Sequence, residues 1–311
     1  MIKFSQTAFD KAKAYLFENG RLLDQRRYEY HFEGGSQAAV LEALAAYQNE
    51  DGGFGRALEP DLRTMASSAI ATSTAFSFLR EVGVSARKPP VQLGVQYLLD
   101  SYYEEKGVWP IIPPEVEDAP HAWWWSYADS EENFGGFLVN PRAAIAGHLQ
   151  HYSSLVRPDF LEKVKSAVLE CLNSYTDTIA VYDFACYQGL AEADGLPESE
   201  KEQIVKKLTQ LLQTNLVEDP EKWMGEGGIT PLVAAPMPDS ALSGTIEDEL
   251  IQANLDEEIE AQLEDGSWPL GWDWSPIDQA AWNAAERDWK GSIIVNKLRM
   301  FRAYGRLKVN N

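Results

Sequence analysis

The sequence predicts an all-α protein built as an array of about six helical hairpins. Three observations lead there. One short pattern recurs: Gln48, Asp51, Gly52 and Phe54 share their spacing with Gln262, Asp265, Gly266 and Trp268, and Gly107 and Trp109 repeat its end after Tyr103. The glycines are regularly spaced: Gly107 follows Gly52 by 55 residues and Gly266 follows Gly107 by 159, three steps of about 53, so 311 residues hold about six units. Apolar residues recur at helical spacing while strand signals are scarce; the β-branched run Ile293 to Val295 sits inside a helical pattern ending near Tyr304 and Gly305.

Each element follows in order. In the repeated motif, Gly past a helix end takes the left-handed conformation at no steric cost. The Asp before it bonds its own local backbone. The aromatic turns back over the junction between units, and the Gln reaches backbone of the next turn. Residues 67–79 are small and apolar, as an inner helix requires. Segment 110–140 holds Pro110, Pro113, Pro114 and Pro120, then Trp123, Trp124, Trp125, Tyr127, Asp129, Glu131 and Glu132. It reads as a long loop, and loops of that length in compact domains are often functional. Residues 141–152 form a helix with Asn140 as N-cap and Pro141 at its first position. Residues 179–191 are apolar nearly all round, which places them inside.

Ser199 and Glu202 have capping-box spacing and open a helix with Ile204, Leu208, Leu211 and Leu212 on one face. Residues 223–245 form a second loop, with Gly225, Gly227, Gly228, Pro231, Pro236 and Pro238. Residues 246–263 space Ile251, Leu255, Ile259 and Leu263 four apart among many acids, an outer helix with one wet face. A third loop, 264–290, carries Trp268, Trp272, Trp274, Trp282 and Trp289. The whole, 1–311, reads as a single domain.

The motif, through Gln48 to Phe54, Tyr103 to Trp109 and Gln262 to Trp268, resembles the QW motif of the terpene cyclase and prenyltransferase superfamily, including squalene–hopene cyclases. That resemblance implies an (α/α)6 toroid, six inner helices ringed by six outer ones, with the three long loops near the ends of the barrel. It implies an apolar, isoprenoid-type ligand in the barrel. Cyclases of this kind carry a second helical domain and prenyltransferase β-subunits pair with an α-subunit; a lone toroid leaves room for a partner subunit or a second copy.

Composition narrows the function classes. A net charge of −21 disfavours nucleic acid and anionic membrane surfaces. A solvated acidic exterior accounts for most of that charge, with an acidic pocket as the sharper reading. No run approaches the length of a membrane span. The start lacks a secretory segment, and two cysteines, Cys171 and Cys186, make no disulfide framework. The expected setting is cytoplasmic.

The resembled cyclases open an inner helix with paired aspartates, one of which protonates the substrate. The matching place here holds Glu59, Pro60, Asp61, Arg63 and Thr64. Asp61 and Glu59 are the candidate proton donors, but the paired aspartates are missing. Arg63 stands beside Asp61 and is expected to lower its pKa. An ion-paired cap on the inner helix is the competing reading. The zinc site of prenyltransferases is not matched: Asp183 and Cys186 are three apart rather than two, and His148 and His151 have no clear third ligand. No metal and no cofactor are expected. Asp51 to Gly55 lacks the Lys-Ser/Thr of a phosphate loop.

Trp123, Trp124, Trp125, Asp129, Trp272, Asp273 and Trp274 are the candidate ligand-binding residues. Trp faces serve an isoprenoid or a carbocation by cation–π contact. They equally stack on sugars, with Asp129, Glu131, Glu132, Asp273 and Asp278 as candidate acids for glycan hydrolysis. Glu226 is a pocket acid or a turn residue. A third reading is a non-catalytic scaffold whose barrel is filled by its own side chains.

Overall fold

The described residues, 1–223 and 228–308, of the computed structural model contain thirteen α-helices and no β-strand. In order they are α1 (Gln6–Asn19), α2 (Leu22–Phe32), α3 (Gln37–Ala45), α4 (Ala69–Glu81), α5 (Pro89–Asp100), α6 (Tyr127–Asn133), α7 (Arg142–His151), α8 (Pro158–Ser174), α9 (Val181–Ala191), α10 (Glu198–Asn215), α11 (Pro231–Ala234), α12 (Asp248–Glu260) and α13 (Gln279–Ala303). Side-chain caps fix several starts. Ser5, Ser36, Ser68 and Asp278 each accept a hydrogen bond from the backbone N–H three residues on.

Helices α4, α7 and α9 pack side by side, α4 on α7 and α7 on α9. Each has a second helix against it: α5 on α4, α8 on α7, α10 on α9. α4 and α7 are buried over most of their length, whereas α10 and α12 bury only one apolar stripe. At the other end of the chain, α13 packs on α1 and α2.

The two full copies of the motif make the same bonds. Gln48 Nε2 donates to the carbonyls of Gly52 (2.8 Å) and of Pro90 in the first turn of α5 (3.0 Å). Gln262 Nε2 donates to the carbonyls of Gly266 (3.0 Å) and of Ala8 in the first turn of α1 (3.0 Å). Asp51 and Asp265 each accept from the backbone N–H two residues on, both at 2.9 Å. Gly52 (φ +86°) presses on Leu93, one turn beyond Pro90, and Gly266 (φ +93°) presses on Lys11, one turn beyond Ala8. The aromatic closes the unit: Trp268 Nε1 donates to Glu258 O (2.8 Å) and Trp109 Nε1 to Leu98 O (2.6 Å). The Gln therefore clips one helical unit onto the start of another helix, and in the second copy that helix is the first in the chain. Backbone bonds from Phe4 to Arg306 O (2.9 Å) and from Lys308 to Phe4 O (3.0 Å) join the two ends.

Some local expectations give way. Pro197 precedes α10, so Ser199 lies inside the first turn and no capping box forms. The Asn140–Pro141 peptide is cis and α7 begins at Arg142, which leaves Pro141 just outside the helix. Segment 110–140 is folded, with α6 and short 3-10 turns at Pro114–Asp118, Trp123–Trp125 and Gly135–Phe137. The Asp278 cap starts α13 within the segment 264–290, so its irregular part ends at 278.

A buried charge network ties α2, α4 and α13 together. Arg27 is 1% exposed and donates to both oxygens of Glu81 (3.0 and 2.7 Å), to Asp24 (2.9 Å) and to Asn296 (2.7 Å). Burial pushes the Glu81 carboxyl up, but Arg27, His31 and Arg299 outweigh it and hold it well below the usual range. Removing one partner of such a network leaves a buried charge uncompensated. Arg27→Ala is expected to cost about 3–5 kcal/mol in urea unfolding; a loss below about 1 kcal/mol would mean that packing alone joins these helices.

Candidate functional site

A cavity of about 1090 Å³ opens at the starts of α4, α7 and α9. Ligand pockets commonly run from about 300 to 1,000 Å³, so this one is large. Ile70 comes from the first turn of α4, Asn140 from just before α7, and Tyr182 and Asp183 from the first turn of α9. Tyr175 follows α8. The segment before α4 gives Glu59 and Asp61, the loop after α5 gives Trp123, Trp124 and Trp125, and the segment around α13 gives Trp272 and Trp289. Trp123 and Tyr182 are 66% and 67% exposed, which places them at the mouth; Glu59 and Asp61, at 7% and 3%, lie deep.

Backbone pairing brings the first two walls together. Ala122 N donates to Asp61 O (3.0 Å) and Arg63 N to Pro120 O (3.1 Å). The three tryptophans that follow Ala122 are thereby set beside the Glu59–Asp61 segment. Left-handed backbone at non-glycine residues also falls here: Arg56 (φ 55°) and Ala57 (φ 60°) precede Glu59, and Phe137 (φ 61°) lies beside the wall residue Leu138. Each costs about 1–3 kcal/mol, and such strain gathers where structure serves a site.

Asp61 Oδ1 accepts the indole N–H of Trp274 at 2.6 Å. Burial raises the Asp61 pKa, and the indole N–H groups of Trp274, Trp289 and Trp272 partly offset it. The expected depression by Arg63 is overturned. The Arg63 guanidinium turns to Asp288 (2.7 Å) and to Pro60 O (3.2 Å), and its charge is a minor influence on Asp61. Nor do Glu59, Asp61 and Arg63 cap α4; Ser68 does. Burial, reinforced by the neighbouring Asp61, pushes the Glu59 carboxyl up to about 8. Glu59 therefore holds its proton at neutral pH. On the opposite wall Asp183 accepts from Tyr175 Oη (2.8 Å), and burial raises its pKa as well. Among the described residues the lining carries these three acids and no Lys, Arg or His.

Aromatic rings make much of the remaining surface, alongside Ile70, Leu138 and Val139. Trp125 stacks on Phe134 (centroids 5.0 Å apart, 14° between planes), Trp123 meets Trp124 edge to face at 5.4 Å, and Trp272 meets Trp289 edge to face at 5.4 Å. Of the residues singled out from the sequence, Glu59, Asp61, Trp123, Trp124, Trp125 and Trp272 share this cavity. Trp274 is buried behind Asp61. Asp129 is exposed on α6, and Asp273 is exposed and accepts from Ser275 N (2.7 Å). Neither lines the cavity. Glu131 pairs with Lys106, and Asp278 caps α13, so no facing pair of acids arises from 129–132 and 273–278 on this surface. Glu226, with Gly225 and Gly227, lies outside the described residues.

Asp183, Tyr175, Tyr182 and Trp289 join the site without a role predicted for them there. Asp183 carries a signal in the sequence, as a lone acid in an apolar helix; the tyrosines carry none. The buried His148 sits elsewhere: its Nε2 is 3.1 Å from Ser73 Oγ and its Nδ1 faces Arg80 Nη1 at 3.4 Å. Arg only donates, so Nδ1 accepts and Nε2 carries the hydrogen, a tautomer that cannot take a proton from Ser73. Among the described residues no group of His, Cys, Asp and Glu could hold a metal ion, and no helix is long and apolar enough to cross a membrane. The chain matches no protein-family model and no curated protein.

Proposed function

We propose that this chain is a terpene cyclase- or prenyltransferase-like helical toroid that holds a neutral, isoprenoid-type ligand in its aromatic cavity. The reading rests chiefly on one observation: a large Trp-lined cavity carries Glu59 and Asp61 deep inside and, among the described residues, no cationic residue on its lining. The ring is supported by the clip of the second motif onto α1, which repeats the clip of the first onto α5. Among the described residues the lining has no cation to neutralise a diphosphate, whose charge would be left unpaired in a poorly hydrated space. The chemistry that fits is acid initiation. A carboxylic acid protonates a double bond, and the aromatic faces stabilise the resulting cation.

Asp61→Asn keeps the shape and loses the proton. It is expected to bind farnesol as the native protein does and to lose conversion of an isoprenoid by about 100-fold or more, the usual worth of a general acid. Product analysis in deuterated water follows this directly. Equal turnover by the native protein, Asp61→Asn and Glu59→Gln would sink the acid assignment.

A further inference from the structure

Three tryptophans surround Asp61, and only one forms a conventional hydrogen bond with it. Trp274 Nε1 donates to Oδ1 at 2.6 Å. The indole N–H groups of Trp272 and Trp289 are buried without a hydrogen-bond partner, both residues line the same cavity as Asp61, and their N–H dipoles favour its anion. Their rings brace each other edge to face at 5.4 Å. Trp274 is braced likewise by Trp282 at 5.7 Å. A buried indole N–H ordinarily finds a partner, and two such unpartnered groups beside one buried carboxyl are hard to account for by packing.

We propose that Trp272, Trp274 and Trp289 are positioning residues forming a three-indole receptor for the Asp61 carboxylate, so that Asp61, rather than Glu59, releases its proton into the cavity. This rests on the acid role proposed above. In the step itself, the O–H bond of the Asp61 carboxyl breaks, its proton passes to the ligand, and the bonding electron pair stays on the carboxylate. The three N–H groups then receive the new charge, as preorganised donors do where charge develops. Glu59 has no such set. A backbone N–H and the Arg21 charge favour its anion, but burial and the adjacent Asp61 oppose it more strongly. Two neighbouring carboxyls in environments that drive their proton affinities apart take different roles. The titratable and charged groups facing Asp61 are Glu59, Tyr182 and the Arg63 guanidinium, the last occupied by Asp288.

The test is a pH titration of the full chain by NMR, following the indole N–H resonances and the carboxyl carbon of Asp61. The expected result is that the Trp272, Trp274 and Trp289 resonances all move with the midpoint of Asp61 and stop moving in Asp61→Asn. Trp272→Phe and Trp289→Phe are each expected to raise that midpoint by about half to one pH unit. Should either replacement fail to fold, the native titration still decides. If only the Trp274 resonance follows Asp61, the receptor is overturned. If all three follow it while Asp61→Asn still converts an isoprenoid at the native rate, the receptor stands and the acid role falls.

Discussion

Gly266→Ala will lower folding stability by about 3–5 kcal/mol, and Gly52→Ala by a similar amount. Two effects add at each position. The backbone is left-handed, at φ +93° and +86°, which an alanine adopts only with strain. A Cβ would also meet backbone of the neighbouring helix, at 2.4 Å from Lys11 and 2.5 Å from Leu93 O. Neither contact can be relieved by rotating a side chain, because both helices are held by the adjacent Gln bonds to Ala8 and Pro90. Gly83 and Gly305 separate the two effects. Both have positive φ, at +67° and +64°, but a Cβ added at either would meet no atom within 4 Å. Alanine there is expected to cost only about 1 kcal/mol. Urea unfolding of the four variants checks this, and equal losses at all four would refute the clip.

The second large effect is on pH dependence. Glu59 is raised from its ordinary range to about 8 in the folded protein, whereas in the unfolded chain it titrates as a normal carboxyl. The unfolded state therefore gives up this proton first. The Glu59 contribution to stability is fully present below the unfolded pKa and is lost progressively as pH rises towards about 8, with no further change beyond. Glu59→Gln removes the ionisation. It is expected to leave stability near the native value at pH about 4 and to exceed it by on the order of 3 kcal/mol at pH about 9. Glu81 acts in the opposite sense. Its depressed pKa gives stability that is present above the unfolded value and is lost as pH falls through the acid range. Unfolding of native and Glu59→Gln protein across this range measures the difference, and parallel curves would show that Glu59 ionises freely when folded.

The parts of this structure legible in the sequence are those that depend on local chemistry. The all-helical class follows from periodicity. The role of the repeated glycines follows from the need for a left-handed residue between a helix and an aromatic. What local chemistry does not carry is the partner of each feature. In sequence, Gln48 and Gln262 reach only the next turn, whereas each also reaches the start of another helix, and nothing near either residue names that helix. The same limit decides Asp61. Beside Arg63 in sequence it reads as an ion pair, but its environment is set by Trp272, Trp274 and Trp289, more than two hundred residues away. Asp129 and Asp273 fail as wall residues for a related reason. Adjacency to a tryptophan says nothing about direction, and both acids face solvent.

The most direct test of the neutral-ligand cavity compares two ligands that share a tail and differ in charge, farnesol and farnesyl diphosphate, by quenching of tryptophan fluorescence. An acidic, cation-free lining predicts saturable binding of farnesol with perturbation of the cavity tryptophans, and diphosphate binding weaker by at least about 10-fold, a difference of about 1.4 kcal/mol. Tighter binding of the diphosphate, or a response to oligosaccharides and not to farnesol, would contradict it.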